Sequence, residues 1–101
     1  MTDRQNVRIE YRIRPDVELA HVEAAIGTFV AGIRDHSADH SYTSYRDTKD
    51  PRHFVHVGSF ARAASAELQA QPFFKTFTEA LRGWTVTPPE VTMLDAVAST
   101  R

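Results

Sequence analysis

The stretch that most restricts the architecture is "FVHVGSF", residues 54 to 60. Its β-branched and aromatic residues favour a strand, and a strand sends successive side chains to opposite faces. One face then carries Phe54, His56, Gly58 and Phe60, and the other Val55, Val57 and Ser59. Neither set is suited to water. An antiparallel sheet covered by helices on one side ordinarily leaves its other side polar, so this strand predicts a second cover as well. In a chain of 101 residues, long enough for one core and too short for two, a second copy of the same chain is the cheapest cover.

The neighbouring segments supply the sheet and its helical layer. "VRIEYRIR" alternates Val7, Ile9, Tyr11 and Ile13 against Arg8, Glu10, Arg12 and Arg14, a strand with one apolar face that Pro15 ends. Asp16 is placed to cap a helix whose stripe is Leu19, Val22, Ile26, Phe29, Val30 and Ile33. Tyr42, Thr43 and Tyr45 favour a second strand, "DTKDPRH" a turn, and the Phe54 strand should return beside it as a hairpin. "ARAASAELQAQ" favours a short helix, Pro72 interrupts it, and "FFKTFTEALRG" continues as another with Gly83 as its stop. A last strand follows the Pro88-Pro89 pair. The order is β-α-β-β-α-β, an α+β ferredoxin-like domain with an antiparallel sheet, predicted to occupy residues 1–101 as one unit with its core in 6–98.

Charge and composition exclude several functions. Acidic and basic residues nearly cancel, with a formal net charge of −1, so no bulk field attracts nucleic acid. Without cysteine there are no disulfides, thiolate nucleophiles or cysteine-held metal clusters. The polar start "TDRQN" resembles no signal peptide and no segment suits a membrane span, which leads to the expectation of a cytoplasmic protein.

Two groups of residues invite chemical readings. In "DHSADHSYTSYRD", His36 and His40 would share one face if a helix ran through them, the spacing of a zinc pair with Asp39 beside it. The apolar stripe stops at Ile33, however, and the segment has the composition of a helix end and loop, so no metal is expected and the helix dipole suffices to explain His36. Arg46 and Asp47, opening the hairpin, read as a surface pair. His56 is the stronger candidate, sharing a face with Phe54 and Phe60; the plain alternative is a core histidine bonded to backbone or to a tyrosine. Tyr11 and Tyr45 are suited to hold a ligand oxygen, Trp84 to stack on a ring, and Phe29, Phe73, Phe74 and Phe77 to wall an apolar cavity; packing is the commoner role of each.

Taken together, "YRIRP", the long helix, "SYTSYRDTKDPRHFVHVGSF", "QPFFKTF" and "PPEVTMLDAV" resemble the antibiotic biosynthesis monooxygenase family over nearly the whole chain. The resemblance implies a ferredoxin-like protomer, a homodimer forming a dimeric α+β barrel, and a pocket between sheet and helices. It also implies oxidation of an aromatic or quinol-type substrate with dioxygen and no cofactor, with His56 as the base and Tyr11, Tyr45, Phe60, Phe74, Phe77 and Trp84 lining the substrate site. The chain departs from the family at Phe60, where members usually carry tryptophan, and at Gly58, where they usually carry an acid. The segment "ELQAQPFF" lacks the histidine on which haem-degrading members depend, which argues against haem degradation. The alternatives are a non-catalytic binding or regulatory dimer, favoured by Phe60 and Gly58, and an isomerase or cyclase using the same cavity.

Overall fold

The computed structural model describes residues 4–100; Met1, Thr2, Asp3 and Arg101, the ends of the expected domain, lie outside the described residues. The elements run β1 (Arg4–Arg12), α1 (Leu19–His36), β2 (Ser41–Arg46), β3 (His53–Ala61), α2 (Arg62–Gln69), α3 (Pro72–Trp84) and β4 (Glu90–Leu94). The strands form one antiparallel sheet in the order β2-β3-β1-β4, with Pro72 at the first turn of α3 separating it from α2. This is the ferredoxin-like protomer predicted above. No helix among the described residues is long and apolar enough to cross a membrane.

Strand register decides which side chains meet the helices. β1 pairs with β3 so that Val7 opposes Gly58, Ile9 opposes His56 and Tyr11 opposes Phe54. Because side chains alternate, these six residues share one face, and with Phe60 they meet Val22, Ile26, Phe29 and Ile33 of α1 and Phe77 and Leu81 of α3 in the core. The α1 set repeats at steps of three and four, which keeps it on one stripe, and each such buried side chain stabilises the fold by roughly 1.5–3 kcal/mol. Gly32 lets the two helices approach: a Cβ there would stand 2.5 Å from the Phe73 ring.

Three local expectations require correction. Asp16 does not cap α1; the helix begins after Glu18 with no side-chain cap, and Asp16 is held by Arg14 at 2.7 Å. Gly83 does not stop α3, which runs on through Trp84 and closes with the Thr85 N–H donating to the Leu81 carbonyl; no described glycine adopts a positive φ. Arg46 and Asp47 do not pair with each other, because consecutive strand-end residues diverge: Arg46 reaches Glu23 on α1, and Asp47 accepts from His53.

The face away from the helices is divided. Along β1 the charges are answered within the chain, Arg8 by Glu10 at 3.1 Å, Arg12 by Asp50, and Glu10 by His53 Nε2 at 2.8 Å. Nearer β2, Tyr45 and Val57 are exposed on the same face, joined across the sheet by Leu94 of β4.

His53 lies between two carboxylates, and its pKa is raised by the hydrogen bond to Asp47, then by Glu10, against an opposing effect of burial. A histidine whose folded pKa exceeds its unfolded value contributes stability that is full below the unfolded pKa, near 6.5, and lost as pH rises through the folded one. The His53→Gln variant is therefore expected to fall further below wild type in Tm at pH 5.5 than at pH 8.5. The difference should be about 0.2–1 kcal/mol, as for other partly exposed ion pairs. Thermal melts of both proteins at the two pH values measure it, and an equal gap at both would remove the charge contribution.

Candidate functional site

Between the sheet and α2–α3 lies a cavity of about 340 Å³. That is within the range of pockets that hold small molecules. Val7 and Ile9 form its floor; Phe29, Phe60, Phe74, Phe77 and Leu81 wall it; Val91 and Met93 flank it on β4, half or more exposed because no helix covers that edge. Phe29 and Phe77 stack with centroids 4.2 Å apart, and Phe74 meets Phe29 edge-on at 5.0 Å. The walls are therefore aromatic and rigid. Polar groups are few; His56 and Ser65 are the most deeply buried of them, and Tyr42, partly buried, adjoins His56.

His56 is 1% exposed, in the middle of β3. The Tyr11 hydroxyl lies 2.7 Å from its Nε2 and the Tyr42 hydroxyl 2.6 Å from its Nδ1, so both ring nitrogens are answered by tyrosines. Burial disfavours the charged imidazole and pushes its pKa down to about 4; no carboxylate contacts the ring to oppose this. Burial likewise raises the pKa of both tyrosines. At neutral pH the cluster is a neutral hydrogen-bonded chain whose members differ in access. Tyr42 and His56 line the cavity, whereas Tyr11, 4% exposed and stacked on Phe54 at 5.7 Å, lies behind them.

Phe60, Phe74 and Phe77 line this cavity. Tyr45 does not: it stands three residues from Tyr42, hence on the opposite face, opposes Val55 and is 56% exposed. Trp84 also lies outside the cavity, packed against the core at the end of α3, where its carbonyl accepts from the Arg14 N–H. Helix α1 ends at His36 and a loop follows, as the composition indicated, and that loop folds back on the helix end. The His36 and His40 rings stack at 5.3 Å with Nδ1 and Nε2 3.2 Å apart, and Glu67 stands 3.5 Å from His36. Among the described residues no group of three or more His, Asp or Glu could hold a metal ion.

Tyr42 and Arg82 are among the cavity residues to which the sequence reading gave no role. Tyr42 is placed by register, opposite Gly58 and beside His56. Arg82 stands four residues beyond Thr78 and eight beyond Phe74, so one face of α3 delivers all three to the cavity; that spacing was a usable signal. Among the described arginines Arg82 alone has neither an ion pair nor a hydrogen bond, so its guanidinium is available at the cavity.

Gly58 is what lets Tyr42 reach His56. A Cβ at that position would stand 2.7 Å from the Tyr42 ring and 2.9 Å from the Phe60 ring, closer than real contacts allow. Gly58→Ala is accordingly expected to displace Tyr42 and to cost roughly 1–3 kcal/mol, the usual range for overpacking. Urea denaturation measures the cost, and nuclear magnetic resonance of the His56 ring nitrogens reports the lost contact. An unperturbed ring with unchanged stability would show that Tyr42 accommodates the methyl group.

No protein-family model matches the chain, and no curated protein matches its sequence. Solved structures do match in fold. A crystal structure of an antibiotic biosynthesis monooxygenase superposes with a TM-score of 0.82 at 24% identity, covering 93% of this chain and 99% of that one. SnoaB, a cofactor-independent oxygenase from Streptomyces nogalater, gives 0.80 at 17% identity over 98% of each chain. Rv0793 from Mycobacterium tuberculosis gives 0.81 at 20% identity over 97% of this chain and 99% of that one. The resemblance read from the sequence thus holds at the level of fold, and this chain shares the ferredoxin-like architecture of the antibiotic biosynthesis monooxygenases along nearly its whole length.

Proposed function

We propose that this chain is a cofactor-independent monooxygenase that oxidises a small aromatic or quinol-type molecule with dioxygen. It would act as a cytoplasmic homodimer of single domains spanning 1–101. The observation that carries the reading is the aromatic-walled cavity with one deep hydrogen-bonding cluster, Tyr42 on His56. The shared fold with a cofactor-independent oxygenase supports it. An electron-rich ring would lie among Phe29, Phe60, Phe74 and Phe77, its oxygen substituent at Tyr42 and its outer edge toward Arg82. Loss of a proton from such a ring to water gives an anion that reduces dioxygen directly; one oxygen atom enters the ring and the other leaves as water, which carries the two hydrogens the substrate gives up.

The residues divide by access. Tyr42 would touch the substrate; Tyr11 would hold the histidine behind it, and Tyr45 and Trp84 would take no part. His56, the expected base, has both nitrogens engaged and is neutral, so it would act through Tyr42 as a positioning residue. That same engagement favours the second reading, a binding dimer without chemistry.

Oxygen consumption by the purified, chelator-treated protein against quinols and hydroxylated polycyclic aromatics separates the two. Uptake above a heat-unfolded blank, reduced tenfold or more by Tyr42→Phe with the fold intact, is the expected result. Thermal stabilisation by the same compounds with no uptake would instead support the binding dimer.

The dimer has its own support in Tyr45, Val57 and Leu94, exposed on a sheet face that no helix among the described residues covers. Burying that face against its copy would form the dimeric barrel. Light scattering is expected to return twice the 11.4 kDa chain mass, and a concentration-independent monomer would contradict it.

A further inference from the structure

We propose that Tyr42 recognises its ligand as a hydrogen-bond donor, its hydroxyl hydrogen turned into the cavity by the buried Tyr11–His56 pair behind it. The ligand class that follows is an aromatic body bearing a carbonyl or phenolate oxygen. The inference rests on the reading of the cavity as a small-molecule site and adds which side of the hydrogen bond the ligand supplies.

A neutral imidazole has one N–H and one lone pair, and each faces a tyrosine hydroxyl here, Tyr11 at Nε2 and Tyr42 at Nδ1. One tyrosine therefore donates to the ring and the other accepts from it. The one that accepts still has its own O–H to place. The two tyrosines are not equivalent in this respect. Tyr11 is 4% exposed and lies outside the cavity lining, and among the described residues its hydroxyl has no hydrogen-bond partner other than His56. Were Tyr11 the acceptor, its hydrogen would be a buried donor with nothing to receive it, which native interiors avoid.

Tyr42 lines the cavity and Tyr11 does not, so although burial raises the pKa of Tyr42 at least as strongly as that of Tyr11, its hydrogen has the cavity to turn toward, where a ligand or water can take it. The chain of bonds consequently runs in one direction. The Tyr11 O–H donates to Nε2, the Nδ1–H donates to the Tyr42 oxygen, and the Tyr42 O–H points outward. Accepting a bond from the imidazole polarises that hydroxyl and makes it a better donor. His56 and Tyr11 are then positioning residues, and a ligand oxygen with lone pairs is what the outer end of the chain can use.

The ring tautomer is directly measurable. In the ¹⁵N-labelled wild-type protein, the His56 ring is expected to carry its proton on Nδ1 with Nε2 unprotonated; the reverse assignment overturns the proposal without any ligand present. Titration with 1-tetralone, 1-naphthol and naphthalene then tests recognition by a bare acceptor, a donor-acceptor and neither. 1-Tetralone is expected to bind about tenfold more tightly than naphthalene, as one neutral hydrogen bond provides. Tyr42→Phe should abolish that increment, read as the ratio of 1-tetralone to naphthalene affinity within the variant itself. Tyr11→Phe should reduce the increment and shift the His56 tautomer, a readout that loss of packing alone would not move.

A gain confined to 1-naphthol, or a 1-tetralone gain that survives in Tyr42→Phe, overturns the donor assignment while the cavity still binds. Failure of all three probes to bind overturns the reading of the cavity, and this proposal with it.

Discussion

A histidine in the middle of a covered strand must have both ring nitrogens answered, and much of this structure is arranged to do that. His56 is almost wholly buried, so water cannot serve, and each unanswered polar atom would cost about 1–3 kcal/mol. Two tyrosines from different strands supply the partners, Tyr11 from β1 and Tyr42 from β2. The bonds therefore tie the three strands β2, β3 and β1 together on their helix-facing side. A one-residue slip in either pairing would turn one of these tyrosines to the other face and leave a nitrogen unanswered. The cluster thus specifies register as well as chemistry.

The same requirement explains how a small domain keeps an open cavity. Phe29 holds Phe74 and Phe77 by ring contacts and meets Tyr42 edge-on, while Phe77 stacks on His56, so the aromatic wall is braced on the bonded cluster. β4 contributes Val91 and Met93 without a helix over them, which leaves the cavity accessible from that edge. Filling the space would require larger side chains at Val7 or Ile9, and these would press on the bonded cluster beside them.

The elements were legible because each rests on local periodicity. The α1 stripe, the alternation in β1 and β3 and the break at Pro72 all appear in the structure where the pattern put them. Decisions that depend on partners were not legible in this way. Tyr42 and Tyr45 are three apart, so only one can face the helices, and nothing within "SYTSYR" says which; the pairing of Tyr42 with Gly58 decides it. Asp16 had the composition of a cap, but Arg14 two residues away offered a closer charge. Gly83 read as a stop by residue type, whereas α3 continues until its backbone engages the segment after β1. His36 and His40 meet through a change of chain direction that no spacing rule encodes.

Gly58 and Phe60, which looked like losses against the family pattern, are better understood together with Tyr42. A side chain at position 58 would collide with the Tyr42 ring at its first carbon, so an acid there and this placement of Tyr42 exclude each other. The Phe60 ring lies 5.9 Å from the Tyr42 ring and 2.9 Å from the point a Cβ on Gly58 would occupy, leaving little room for a larger indole. The absence of an acid also leaves desolvation unopposed at His56, which keeps the imidazole neutral. The three residues therefore form one coupled choice. Together Tyr42 of β2 and His56 of β3 give the sheet side of the cavity a neutral hydroxyl held by a neutral ring.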